Sequence, residues 1–224
     1  MLQQSSTYSA KILREFKNLD QDNYHAVVHF YEEHEREIAQ IGIEEHFILL
    51  ASYINALHEI GIYQKVLANA DQMLQYSIIY NIQFHQGEDI YLKTLFQKAT
   101  AQLYTHDYPS AQHSLEQLIN IQPNYKPFRK LLLKSLLRQR PLVVKRMFAF
   151  GVILYLLSVV MVVVNILLVQ PYYNEFVGLA EFWRGVVFVL SILVLVIGEV
   201  AHHLNCRRAA SRIYDVALQK KHNK

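Results

Sequence analysis

The densest set of metal- or proton-binding side chains lies in LVIGEVAHHLNCRR, Leu195 to Arg208. On a helix turning about 100° per residue, Glu199, His202, His203 and Cys206 fall within one arc roughly 100° wide. Carboxylate, imidazole and thiol are ligand types for a transition metal. Glu-x-x-His is also half of the di-iron carboxylate signature of helical bundles, which needs a second copy and further glutamates on facing helices. Met147 to Asn174 contains no acid at all. One chain therefore leaves the set incomplete, and the four residues are weak metal candidates that only an oligomer would complete. The stronger reading is that they mark where an apolar helix leaves lipid, their polar ends snorkelling toward the headgroups.

A second dense run is HFYEEHERE, His29 to Glu37. His29, Glu33 and Glu37 share one helix face, beside a mostly apolar stripe of Val27, Phe30, Tyr31, His34 and Ile38. Paired carboxylates do acid–base work only in a cleft. This pattern reads as a solvated face next to a core face, with His34 a core histidine. There is no Gly-rich phosphate loop, G-x-S-x-G or H-E-x-x-H. The expectation is a protein without enzymatic activity and without a cofactor.

The elements that carry these residues divide in two. Met147 to Asn174 and Gly185 to Gly198 contain no Asp, Glu, Lys or Arg, and a bilayer span needs about 20 such residues. Spans are expected at about 147–169 and 182–204. The first is roughly 35 Å long at about 1.5 Å per residue, enough to cross with some tilt. GVILYLLSVVMVVVNILLV is apolar on every face, unlike a soluble core helix. Asn165, near the end of the first span, is expected at the interface. Residues 1–116 carry seven basic and 15 acidic residues, a net of −8. Residues 117–174 carry eight basic ones and no acid.

Lys126, Arg129, Lys130, Lys134, Arg138, Arg140, Lys145 and Arg146 thus form a basic collar before the first span, and Arg207, Arg208 and Arg212 follow the second. Directly beside spans, such charge meets anionic lipid headgroups rather than nucleic acid. Both chain-terminal flanks are basic and the connecting loop is not, which predicts both termini in the cytoplasm. Tyr172, Tyr173 and Trp183 would then form an outer aromatic belt. One cysteine, Cys206, excludes an internal disulfide. The first residues lack the basic and apolar regions of a secretory signal.

Before the spans, the periodicity predicts helices at roughly 7–18, 23–40, 44–60, 63–80, 89–105, 109–121 and 126–139, joined by short breaks, with no useful strand pattern. Two segments align. One is FILLASYINALHEIGIYQKVLANADQML from Phe47, the other TLFQKATAQLYTHDYPSAQHSLEQLINIQP from Thr94. Each has a helix, a tight turn ending in Tyr and a second helix. This resembles the tetratricopeptide repeat. Ala99, Tyr108, Ala111, Leu115, Leu118 and Pro123 match its small, aromatic, apolar and terminal-proline positions. Gly61, Tyr63 and Ala70 match in the first copy, where Val66 replaces a small residue.

Tyr63 and Tyr108 are 45 apart rather than 34, so about 11 residues, around Asn81 to Tyr91, must lengthen a helix or form a loop. NYHAVVHFYEEHE, from Asn23, would be the second helix of a weaker copy, and 124–139 would cap the stack. The resemblance implies a partner groove presenting Asn55, His58, Lys93, Phe96, Thr100 and Tyr104, some of which would instead pack against the N-terminal helices. The acidic front favours a basic partner.

The expected fold is all-α: repeat-like antiparallel helices over 1–140, a transmembrane hairpin over 141–206 and a basic tail over 207–224. The expected function is a membrane-anchored protein–protein adaptor or scaffold, with a protein in the groove and anionic headgroups as partners and no nucleic acid. An oligomer through the hairpin is left open. A compact chain without low-complexity linkers suggests a bacterial inner membrane. The alternative is a membrane-perturbing or pore-forming effector of the defence or toxin type, its hairpin controlled by the repeats. A water-filled pore would need a polar stripe along the spans.

Overall fold

The computed structural model describes residues 11–82, 84–85, 87–169 and 177–222. It is all-α, with helices packed on one another and two candidate membrane-spanning helices at the C-terminal side. The chain divides into two compact units. One runs to Ser135 and takes in the chain from Val216 onward; the other is Leu136–Asp215.

The first unit contains α1 (residues 11–18), α2 (Tyr24–Glu33), α3 (Glu35–Ile38), α4 (Ile43–Glu59), α5 (Tyr63–Ile79), α6 (Ile90–Tyr104), α7 (Tyr108–Ile121) and most of α8 (Lys126–Arg138). The helix expected over 23–40 is broken at His34, whose φ of −103° and ψ of 16° leave the helical region. α4 packs on α5, α5 on α6, α6 on α7, and α2 and α6 also meet α4. Leu49, Leu50, Leu57, Leu95, Leu103 and Leu118 fill the interior and are essentially sealed from solvent.

The turns after α4 and α6 are the same structure. Ile62 N–H donates to Leu57 C=O over 2.9 Å, and Asp107 N–H donates to Gln102 C=O over 2.9 Å. Gly61 N–H and His106 N–H make the companion bonds to His58 and Leu103. This is the two-bond helix stop that needs one left-handed residue, and Gly61 (φ +78°) and His106 (φ +65°) supply it. Every member of one turn lies 45 residues from its counterpart. The α4–α5 and α6–α7 pairs are therefore built alike. Ala99 and Ala111, at the small positions, are fully buried, as are Val66 and Ala70. Tyr63, opening α5, stacks on Tyr104 at the end of α6, with centroids 4.8 Å apart and planes 6° apart.

The insertion between the pairs contains an unexpected element. β1 (Phe84–His85) and β2 (Glu88–Asp89) form a two-residue antiparallel hairpin in the register Phe84↔Asp89 and His85↔Glu88. Asp89 then caps α6, accepting from Leu92 N–H at 3.0 Å.

In the second unit, α9 (Leu142–Val164) passes into a π-helical turn (Asn165–Val169). α10 (Val177–His222) is one 46-residue helix. The stretch expected as a separate tail continues this helix through His222. Leu142–Leu167 and Val177–Lys221 are long and apolar enough to cross a membrane. Trp183 is exposed beside Phe182; Tyr172 and Tyr173 lie outside the described residues.

Among the described residues of the two apolar stretches, one edge of each helix is covered. In α9 its line runs through Met147, Gly151, Leu154, Ser158, Met161 and Asn165, with Val162 beside it; in α10 it runs through Arg184, Val187, Ser191, Val194 and Gly198, with Leu195 beside it. Steps alternating between three and four residues give the 3.5-residue seam of helices that wrap left-handedly. Small side chains let the backbones approach. A Cβ built on Gly151 would lie 2.6 Å from Leu195 Cδ2, and one on Gly198 would touch Met147. Asn165 shares the phase of Gly151 and Ser158, so it is buried rather than interfacial, and its carboxamide has no partner among the described residues.

Candidate functional site

In the repeat unit, a cavity of about 230 Å³ opens where α4 and α6 face the link between α1 and α2. Both are the first helices of their pairs. Its walls are largely polar: Gln21 and Asp22 from the link, Tyr24 from the start of α2, Ser52 and Asn55 from α4, Glu88 from β2, and Lys93, Thr94 and Gln97 from α6. Asn55 and Gln97 brace the wall, Gln97 Nε2 donating to Asn55 Oδ1 at 3.0 Å. Lys93 Nζ donates to Glu88 at 2.5 Å, tying the strand hairpin to α6. Asn23 caps α2 through Ala26 N–H and so fixes the link. The cavity offers paired donors and acceptors.

Of the six residues expected in a partner groove, Asn55 and Lys93 line this cavity. The other four pack. Phe96 lies against Phe128 of α8, with centroids 5.7 Å apart. Thr100 is buried and donates back to Phe96 C=O. Tyr104 stacks on Tyr63, and Lys134 Nζ sits 5.1 Å from its ring centroid. His58 is edge-on to Tyr63, with Nε2 buried and lacking a partner among the described residues. Sequence reasoning missed Ser52, Thr94 and Gln97. The usable signal was two polar residues three apart on the first helix of a repeat, on a face otherwise filled by Leu95 and Ala99 neighbours.

A second cavity, about 320 Å³, is lined by Tyr31, Glu32, Glu35, Tyr53, Lys65 and Asn69. Tyr31 and Tyr53 stack at 4.0 Å. Glu32 accepts from Tyr53 Oη at 3.0 Å and from Lys65 Nζ at 2.5 Å. The Lys65 bond holds the Glu32 carboxyl below its usual range against the opposing effect of burial. Burial, then the nearby Glu35 charge, pushes Tyr31 up to about 12. Both phenols therefore stay neutral, and the cluster reads as a polar brace between α2, α4 and α5. The solvated face of α2 carries His29 and Glu33 in contact at 3.1 Å; His34 stacks on Phe30.

Most of the basic residues are exposed: Lys126, Arg129, Lys130, Arg138, Arg140, Lys145, Arg146, Arg207, Arg208 and Arg212. Lys134 is half-buried over Tyr104. Of the four weak metal candidates, His202 and Cys206 meet, while Glu199 points away and His203 is half-buried. Glu199 is exposed and reaches Arg140 at 3.5 Å. His202 and Cys206 are buried, with Cys206 Sγ 3.7 Å from His202 Nδ1. Their other partners are main-chain carbonyls: Leu137 for His202 and Leu136 for Cys206. Among the described residues no three such side chains are grouped to hold a metal ion.

Beside His202 and Cys206 runs a groove of about 810 Å³, bounded by Leu136, the stretch from Gln139 to Lys145, Met147 and the α10 residues Gly198 to Ala209. Pro141 creates it: proline cannot continue α8, and its fixed φ starts α9 in a new direction. Compared with protein-family models, with curated proteins and with solved structures, the chain gives no match.

Proposed function

We propose that this protein is a membrane-anchored adaptor whose tetratricopeptide-like pairs hold a protein partner while the hairpin crosses a bacterial inner membrane. Both ends lie on the cytoplasmic side, following the Lys and Arg distribution, and no catalytic step is assigned. The observation that carries this reading is the polar cavity on α4 and α6. The first helices of stacked pairs form the binding face of helical solenoids. Its polar lining suits an extended segment that needs main-chain partners. The net charge of −8 over residues 1–116 favours a basic one.

The test is a photo-crosslinking amino acid at Ser52 of the full chain in its native membrane. A single discrete adduct is expected there, weakened by Asn55→Ala, and none from exposed Ile78. Identical adducts from both positions, or none from Ser52, would reject the groove. Tags on Met1 and Lys224 should be protected on the same side of a sealed vesicle.

A second reading, a pore-forming or membrane-perturbing hairpin, is favoured by one observation. Ser158, Ser191 and Asn165, which has no side-chain partner among the described residues, give the seam a polar interior. It requires that expression depolarises cells and that Asn165→Leu abolishes this. An anchor tolerates both.

A further inference from the structure

We infer that the groove at the Pro141 bend is a binding site for one anionic phospholipid, headgroup toward Arg140 and Lys145 and acyl chain along α9 and α10. The inference rests on the reading that the hairpin spans a membrane. Its argument is the mixed lining of the groove. Val143, Val144, Met147 and Ala201 make part of the wall apolar, and Arg140 and Lys145 add two cations to the same wall, with Asn205 beside them. Apolar and cationic side chains therefore share the first turns of α9, just before the chain's uncharged run. An amphiphile with an anionic head matches that mixture; a soluble anion leaves the apolar wall uncovered, and a neutral lipid leaves the cations unmatched.

Charge at the start of α9 supports the choice. α9 begins at Leu142 with no side-chain cap, and Lys145 is the first residue whose N–H returns to a carbonyl, that of Pro141. The amides before it are left to solvent or ligand, at the positive end of a 23-residue helix. The opposing group is Glu199, 3.5 Å from Arg140. That contact is long and both side chains are about half exposed, 45% and 59%. Arg140 can therefore turn from the carboxylate to a phosphate, which its planar fork binds in two-point fashion. The His202 and Cys206 side chains are committed to the carbonyls of Leu137 and Leu136 and serve as the floor.

The test uses the full chain in detergent micelles, titrated with phosphatidylglycerol or phosphatidylcholine and read by native mass spectrometry. One phosphatidylglycerol should be retained in preference to phosphatidylcholine. Arg140→Gln with Lys145→Gln should weaken it about tenfold or more, given that each basic side chain near a lipid surface contributes on the order of 1 kcal/mol. Ala201→Phe, which fills part of the apolar wall and leaves every charge in place, should displace it as well. Arg207→Gln with Arg208→Gln removes equal charge outside the groove and should leave it bound. Glycerol phosphate in excess should not compete. Equal binding of the two lipids, equal loss in both double variants, or displacement by glycerol phosphate would overturn the site. A chain that stays monodisperse in water without detergent would instead overturn the membrane reading itself.

Discussion

The two units invert each other's packing. In the repeat unit the large side chains Phe47, Leu49, Leu50 and Leu57 are inside. In the hairpin unit the inside is Gly151, Ser158, Ser191 and Gly198, while Val160, Leu167, Val189 and Leu193 point out. Water expels apolar surface, so the first unit gains stability by burying large groups. Lipid does not, so helices suited to a bilayer gain from close approach and dispersion, which small residues allow. One chain thus carries two packing rules, and each substitution should be felt according to the rule of its unit.

The largest expected effect tests that contrast directly. Leu57→Ala empties a sealed site and should destabilise the repeat unit by about 2–5 kcal/mol. Leu193→Ala, on the outer face of α10, should stay within about 0.5 kcal/mol. Hydrogen exchange of α4–α6 and α10 peptides in the full, detergent-solubilised chain measures both. Equal losses would end the distinction. Next in size is the reverse change. Gly151→Leu forces a side chain into Leu195 and should cost about 1–3 kcal/mol of hairpin stability. Spin labels at exposed Phe148 and Val200 should move apart, with exchange in α4–α6 unaltered. Leu156→Phe, on the exposed side of α9, should move neither.

Much of this was legible in the sequence, for reasons that differ by region. The helices of the repeat unit were readable because apolar periodicity and the Gly61 break are local signals. The two candidate spans were readable because uncharged runs of that length have few other uses. His34 was not, since a kink within a continuous apolar stripe leaves no compositional trace. The β1–β2 hairpin depends on two-residue pairing, below what alternation can register. Two of six expected groove residues reach the cavity because α8 covers the end of α6: Phe128 takes Phe96, and Lys134 takes Tyr104. The hairpin seam was hidden because Gly and Ser scattered among Val and Leu look like noise until burial reveals their seven-residue spacing.

The equivalence of the two helix pairs can be sharpened at their turns. Gly61→Ala places a Cβ at φ +78° and should cost about 1 kcal/mol. At the matching position the chain already bears that strain in His106. His106→Gly should therefore be neutral or stabilising by a few tenths of a kcal/mol, the gain offset by the lost His106–Tyr108 bond of 2.9 Å. Thermal unfolding of both variants measures the sign. Opposite signs at positions 45 residues apart are what one repeated turn with two residue types requires.

The smallest effect is a slope with pH, confined to the repeat unit. Burial lowers the His46 imidazole below its ordinary 6.5, because the charged form loses water beside Tyr31 and Tyr76. Between the folded and unfolded values the unfolded chain binds more protons, so stability is full above about 6.5 and declines as pH falls below it. Glu32 acts in the same direction but lower. Its carboxyl is held down chiefly by Lys65, so its contribution is present above the ordinary 4.5 and is lost as pH falls through the depressed value. His46→Gln should flatten the upper limb and leave the acid limb; Glu32→Gln should do the reverse. Exchange protection in α2 and α4 should follow these limbs. Protection in α9, which carries no charge from Met147 to Val164, should not follow either of them.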